Sequence, residues 1–181
     1  MQTERLNLRE LKFSDVEKIH ELNSLPEVDE FNTLGIPESI AVTRQLVSNW
    51  LSLQNEAPRM KYVFVIENNI NVFIGLIGIN IGKPSYKSAE IWFKLHPKFW
   101  NKGYATEAVN RIFIFSFAEL SLHRIEAGCA VKNVASKRVL EKVGMIMEGR
   151  CRKLLPIRGQ WEDNFEFAIL ETDFEKNQNS K

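Results

Sequence analysis

Apolar and polar positions alternate over Arg5-Leu6-Asn7-Leu8-Arg9, the period-two signature of a half-buried strand. Ser14-Asp15-Val16-Glu17 has the form of a capping box, and Ile19 and Leu22 continue a helical stripe behind it. Pro37-Glu38 opens a second helix, with Val42, Leu46 and Leu53 apolar and Trp50 between them. Residues 61–67 and 72–81 are rich in β-formers, and Asn68-Asn69-Ile70-Asn71 between them predicts a hairpin. A further strand over residues 88–95 stops at His96-Pro97, because proline lacks the N–H that a strand ladder needs. A helical segment covers residues 101–120 and a strand covers 124–131. Asn133 caps the next helix, which runs to Val143, with Gly144 in the position that ends helices. Residues 148–154 and 161–171 are the last strands, joined by a turn over 156–160. The order β-α-α-β-β-β-α-β-α-β-β predicts a mixed α/β fold in one domain, residues 1–174, followed by a short polar tail, 175–181, expected to be disordered.

The composition narrows the function classes. With 181 residues, 44% of them apolar, the chain can bury a sizeable single core. Its 24 Lys plus Arg balance 23 Asp plus Glu without a long basic tract, so no nucleic-acid partner is implied. No apolar run approaches the roughly 18 residues of a membrane span, and the polar start Met1-Gln2-Thr3-Glu4-Arg5 is unlike a signal peptide. Cys129 and Cys151 form neither a CxxC pair nor a disulfide framework, which makes a reducing cytoplasmic setting the expectation. His20, His96 and His123 are scattered, so no metal site is expected. Neither GxGxxG nor GxxxxGK[ST] occurs, which excludes the usual dinucleotide and P-loop readings.

The chemistry concentrates in His96-Pro97-Lys98-Phe99-Trp100-Asn101-Lys102-Gly103-Tyr104-Ala105-Thr106-Glu107-Ala108. A strand ends, a loop follows, and a helix begins near Ala105. Unpaired N–H groups and the positive end of the macrodipole meet at such a start. Gly103 and the small Ala105 let a ligand approach the backbone, which suits a pyrophosphate. The spacing alone fits an ordinary strand-to-helix turn equally well.

This stretch resembles the acyl-CoA pyrophosphate loop of the GNAT acetyltransferases, most closely the branch that includes ribosomal-protein N-terminal acetyltransferases. That branch reads close to H-P-x-x-W-G-[KRQ]-G-[YI]-[AM]-[TS]-E-[AM], and the present chain departs in the glycine loop only at Asn101. Asn tolerates left-handed backbone angles better than most residues. Three further segments match in the right order: residues 3–9, Ser88-Ala89-Glu90-Ile91, and the N-x-x-S helix of residues 133–145, with Glu148-Gly149-Arg150 similar to the family's ending. The resemblance implies a mixed, mostly antiparallel, V-splayed sheet of about seven strands flanked by about four helices. It also implies acetyl-CoA as co-substrate and no metal.

Site roles follow from the resemblance. Backbone groups of Phe93 and Leu95 would pair with the pantetheine arm. N–H groups of Trp100, Asn101, Lys102, Gly103, Tyr104, Ala105 and Thr106 would hold the pyrophosphate. Lys102, Arg138 and Lys142 would either meet cofactor phosphates or form a solvated basic face. Asn133 would contact the pantetheine besides capping its helix.

The implied reaction is aminolysis of a thioester. Glu90 is the candidate catalytic base, directly or through water, since burial beside Ile91-Trp92-Phe93 would raise its pKa. Its alternative is a salt-bridge carboxylate. Ser136 is the candidate on the leaving-thiolate side, or else a helix serine bonded locally. The tyrosine that many GNAT enzymes carry four residues later is replaced by Leu140. Cys129 reads better as a small buried hydrophobe than as an acyl carrier. Trp92 stands where the family commonly has Gly and would reshape the acceptor pocket, whose wall would include Trp50 and residues 31–37. The expected acceptor is a protein or peptide N-terminal α-amine. Its pKa of about 7.7–8.0, against about 10.4 for a lysine amine, asks less of a base. The alternatives are a small amine (an aminoglycoside, polyamine or amino-acid-like molecule) and a non-catalytic acyl-CoA-binding module. A homodimer is the default assembly.

Overall fold

The computed structural model describes residues 1–179. Among these, seven strands form one sheet: β1 (Leu6–Glu10), β2 (Lys61–Asn68), β3 (Phe73–Ile81), β4 (Ser88–Leu95), β5 (Arg124–Ala130), β6 (Ile146–Ile157) and β7 (Gln160–Leu170), in the order β1-β2-β3-β4-β5-β7-β6. Neighbouring strands are antiparallel except β4 and β5, which are parallel. The expected mixed, mostly antiparallel α/β sheet is therefore observed. Six helices accompany it: α1 (Val16–Asn23), α2 (Pro26–Asp29), α3 (Ile40–Leu53), α4 (Tyr104–Ile114), α5 (Val134–Lys142) and α6 (Glu171–Asn179).

Alternation along β4 divides the molecule into two layers. Ala89, Ile91 and Leu95 belong to the larger core, which α4 fills with Ala108, Val109, Ile112 and Phe113 and α5 with Leu140 and Val143. On the opposite face Trp92 packs against a smaller core of Val16, Ile19 and Leu22 from α1 and Val47 from α3. Each large side chain buried in these layers contributes about 1.5–3 kcal/mol. The Trp92 indole lies flat across Gly78 of β3, where a Cβ would come within 2.3 Å of the ring.

Several elements differ from expectation for identifiable reasons. Ser14 does not cap α1. A 3-10 turn, Phe13–Asp15, precedes the helix, and the Asp15 carboxylate accepts the Lys12 N–H at 2.8 Å while the Arg9 fork grips both its oxygens at 2.8 and 2.7 Å. A charge-assisted bidentate pair outcompetes a hydroxyl cap. Helix α3 starts after Ser39 rather than at Pro37-Glu38, and the segment 101–120 is a turn, then α4, then a π-helical turn over Phe115–Glu119.

Two helices were not expected. Pro26 at the first position of α2 presets its backbone angle for a helix. Helix α6 covers positions 175–179 of the segment expected to be disordered. Phe174 seats it against Phe113 and Phe117, with ring centroids 6.1 and 5.3 Å apart, and Asp173 accepts the Leu170 N–H at 3.2 Å. Residues 180 and 181 lie outside the described residues.

The site is positioned by one topological feature. Strands β4 and β5 pair only through Ser88–Arg124, Ala89–Ile125 and Glu90–Glu126. Beyond Glu90 they part, so residues 91–95 of β4 have β3 on one side and an opening on the other.

Candidate active site

At the open end of the sheet, β4 passes into the loop that starts α4. Pro97–Phe99 make one 3-10 turn, and the Trp100 indole N–H donates to the Leu95 carbonyl at 2.7 Å, tying the loop to the strand end. Asn101 (φ 59°) and Gly103 (φ 80°) both adopt the left-handed region. Asn101 thus follows a backbone route that a glycine would take freely and most residues would resist. The first bond of α4 runs from the Glu107 N–H to the Gly103 carbonyl at 3.0 Å. The N–H groups of Tyr104, Ala105 and Thr106 have no intrahelical acceptor, and they stand at the positive end of the helix. This donor set suits an anion. An open cavity of about 500 Å³ lies beside the helix start, with Gly103, Thr106 and Lys142 in its lining. Lys102 holds its ammonium 5.6 Å from the centre of the Phe99 ring.

The unpaired side of β4 faces the opening. The His96 N–H bonds to Ile74 of β3, whereas the Lys87 carbonyl accepts from His123 and Arg124 on the β5 side. Backbone direction alternates along a strand, so past the last rung at Glu126 it is Phe93 and Leu95 that turn their polar groups toward the gap. Phe93 offers both N–H and C=O. Leu95 offers its N–H alone, because Trp100 occupies its carbonyl.

The same alternation places Glu90, Trp92 and Lys94 on the face covered by α1 and α3. Trp92 leans on Trp50 with ring centroids 5.9 Å apart, and both pack against the smaller core. Glu90 reaches solvent rather than lying buried mid-strand as expected. Surrounding protein nevertheless desolvates its carboxyl and raises its pKa, and the like charges of Glu166 and Glu126 push the same way. Lys94 was not anticipated, although the period-two pattern through Glu90 and Trp92 puts it on this face. Burial lowers its pKa to about 8, and its Nζ donates to Asn23 Oδ1 at 2.8 Å. Nearby, Arg158 in the β6–β7 turn donates to Asp29 at 3.2 Å and to the Pro26 carbonyl at 2.9 Å, joining that turn to α2.

Helix α5 begins on the far arm of the opening, directly after β5. Asn133 caps it, accepting the Ser136 N–H at 3.0 Å. The Ser136 hydroxyl makes no hydrogen bond among the described residues, so the local-bond alternative involves its backbone and not its Oγ. Leu140 is buried in the core and brings no acid to this position. Arg138 and Lys142 are exposed on the same helix. Cys129 is buried, and desolvation pushes its thiol up to about 11, which leaves little thiolate at neutral pH. Among the described residues no group of three or more His, Cys, Asp or Glu is placed to hold a metal, and no helix is long and apolar enough to cross a membrane.

A helix start with free N–H groups, a strand edge open to an extended ligand, and a carboxylate at the mouth of the gap form the constellation expected for acetyl transfer from acetyl-CoA. Known proteins agree. Residues 5–146 match the family model described as an acetyltransferase (GNAT) domain. The uncharacterized N-acetyltransferase YnaD of Bacillus subtilis (strain 168) is 33% identical over 174 residues, covering 95% of this chain and 97% of that protein. A GNAT-family acetyltransferase from Bacillus anthracis superimposes with a TM-score of 0.82 at 32% identity, over 95% of this chain and 98% of the other. Spermidine N-acetyltransferase from Vibrio cholerae, in complex with CoA and spermine, superimposes with a TM-score of 0.85 at 26% identity, over 96% and 99%. The chain belongs to the GNAT family and is an acetyl-CoA-dependent N-acetyltransferase.

Proposed function

We propose that the chain acetylates a peptidyl N-terminal α-amine by direct attack on bound acetyl-CoA. The observation that carries this is Glu90, a solvent-accessible carboxylate with a raised pKa at the mouth of the β4–β5 opening. The pantetheine runs along the free edge of β4, bonded to Phe93 and Leu95, with the pyrophosphate on the N–H groups of residues 100–106. The amine nitrogen attacks the thioester carbon and its proton passes to Glu90, directly or through water. The carbonyl electrons move onto oxygen, where a gap-side backbone N–H of β4 stabilises them. Collapse of the adduct breaks the C–S bond, and the Ser136 hydroxyl hydrogen-bonds the departing thiolate. That thiolate has a free pKa near about 8.5 and needs only partial assistance.

The weakness of the base favours an α-amine. A glutamate, even with its pKa raised, is poorly matched to an alkylammonium of pKa about 10.4 and better matched to one near about 8. Direct transfer is favoured by Cys129, whose buried thiol is a poor acyl acceptor. The left-handed Asn101 keeps the turn of the loop, and the presence of Glu90 and Ser136 argues against the binding-only alternative. The same proposal places the protein in the cytoplasm, where a thiol such as exposed Cys151 stays reduced.

A second reading, a small polycationic amine as acceptor, is supported by the carboxylates of Glu126 and Glu166 beside Glu90 and by the similarity to spermidine N-acetyltransferase. A competition assay separates the two. The protein is given acetyl-CoA with a free-N-terminus peptide, the same peptide N-terminally blocked but carrying lysine, and spermidine, and products are read by mass and thiol release. Acetylation at the free N-terminus is expected. Preferential acetylation of spermidine would transfer the assignment to the second reading, and transfer to none of the three would defeat both.

A further inference from the structure

Arg5 lies 97 residues from the pyrophosphate loop in sequence, yet its guanidinium spans that loop. Nη1 donates to the Lys102 carbonyl at 3.0 Å, while Nε and Nη2 both reach Glu107 Oε2, at 2.7 and 2.6 Å. The Arg5 backbone N–H donates to Glu107 Oε1 at 2.9 Å, and the Thr3 hydroxyl reaches the same oxygen at 2.5 Å. The guanidinium carbon sits 4.8 Å from the centre of the Tyr104 ring, and a Cβ on Gly103 would stand 3.3 Å from Nη2. Arg5 therefore touches Lys102, Gly103, Tyr104 and Glu107, the residues that turn the chain into α4. Burial alone would raise the Glu107 carboxyl, but the bonds from Thr3 and Arg5 and the Arg5 charge hold it below the usual glutamate range, so it stays an anion facing Arg5.

Resting on the cofactor site described above, we infer that Arg5 is a positioning residue for acetyl-CoA. It sets the orientation of the Lys102–Gly103 peptide without itself binding phosphate. The geometry gives the reason. A planar trans peptide points its carbonyl and the following N–H in opposite directions. With the Lys102 carbonyl turned onto Arg5, the Gly103 N–H is fixed pointing away from the guanidinium. The left-handed Gly103 then leads into the free N–H groups of Tyr104, Ala105 and Thr106. Without the clamp the Lys102–Gly103 peptide is free to rotate, and the donor nest must be ordered when the pyrophosphate binds. All three guanidinium nitrogens already have protein partners, which argues for a strap rather than a ligand. A fork is needed: one ammonium cannot hold a carbonyl and a carboxylate in these directions at once.

The test uses Arg5→Met and Arg5→Lys in the full chain, with calorimetric titration of CoA, steady-state KM for acetyl-CoA and for acetyl-pantetheine (which lacks the pyrophosphate), and thermal midpoints. Arg5 is partly exposed, and the thermal midpoints check that each variant keeps the fold. The expected result is a rise of about 10-fold in the CoA Kd for both variants, equivalent to about 1.4 kcal/mol. The KM for acetyl-CoA rises in step, with kcat at saturation and the KM for acetyl-pantetheine unchanged. Equal losses on both acetyl donors, or none, would overturn the clamp. Full recovery by Arg5→Lys would overturn it too, by showing that charge near the phosphates suffices. Failure of the unmodified chain to bind CoA would instead remove the cofactor site itself.

Discussion

Glu90 illustrates how one side chain's surroundings set its chemistry. Desolvation and the neighbouring Glu166 and Glu126 carboxylates raise its pKa, so its ionised form becomes populated at a higher pH than that of an unperturbed glutamate. The rate should therefore fall on the acid side at a higher pH than an unperturbed glutamate would give, which a kcat/KM–pH profile reads directly. Glu90→Gln should lower kcat by roughly 10²–10⁴-fold and abolish that acid limb while leaving the CoA Kd unchanged. The sign for stability runs the other way. A carboxyl whose folded pKa is raised favours the fold only when protonated, so this substitution leaves the neutral-pH melting midpoint unchanged or slightly higher. Glu90 itself was legible in the sequence through its place before Pro97. Its exposure was not, because the apolar neighbours Ile91 and Phe93 point to the other face.

At the level of elements, β1, β2 and the turn into α1 are bound by Arg9. Its fork holds Asp15, and its Nε and Nη2 reach Glu67 at 2.9 and 2.8 Å, with both carboxylates buried. Burial alone would raise the Asp15 carboxyl, but Arg9 and the Lys12 N–H hold it below the usual range. Arg9→Met strands two buried anions and should cost about 3–5 kcal/mol in a urea titration. Because the folded pKa of Asp15 lies below its unfolded value, its contribution is present above the unfolded pKa and disappears as pH falls through the folded one. The acid branch of the unfolding curve should flatten in the variant. Element order and most boundaries were readable because period-two and helical stripes are local. The start of α1 was misread because the deciding partner, Arg9, lies on another element, and α6 was missed because Phe174 acts through Phe113 and Phe117.

Across the whole molecule, local motifs announced the parts of the site, and distant pairs assembled them. The 96–108 segment and the Asn133–Ser136 cap are contiguous and could be read directly. The Arg5–Glu107 and Arg158–Asp29 pairs join residues 102 and 129 positions apart, with no periodic signal to reveal them. The face proposed for the acceptor is equally non-local, since Trp92, Trp50, Asn23 and Lys94 come from β4, α3 and α1. The family resemblance reached the fold and the reaction because both depend on the contiguous pieces. It did not reach the acceptor, which depends on the assembled wall.

The sheet is continuous between its two arms through only three residue pairs, Ser88–Arg124 to Glu90–Glu126. Past them, the gap-side amides of Phe93 and Leu95 face no strand, and a bound pantetheine would supply the missing rungs. Amide protons there should exchange with solvent quickly in the free protein and be slowed on adding CoA, while those of Trp92 and Lys94, already bonded to β3, change little. An alternating, every-second-residue protection pattern along one strand would be the isotopic imprint of a cofactor acting as an eighth strand.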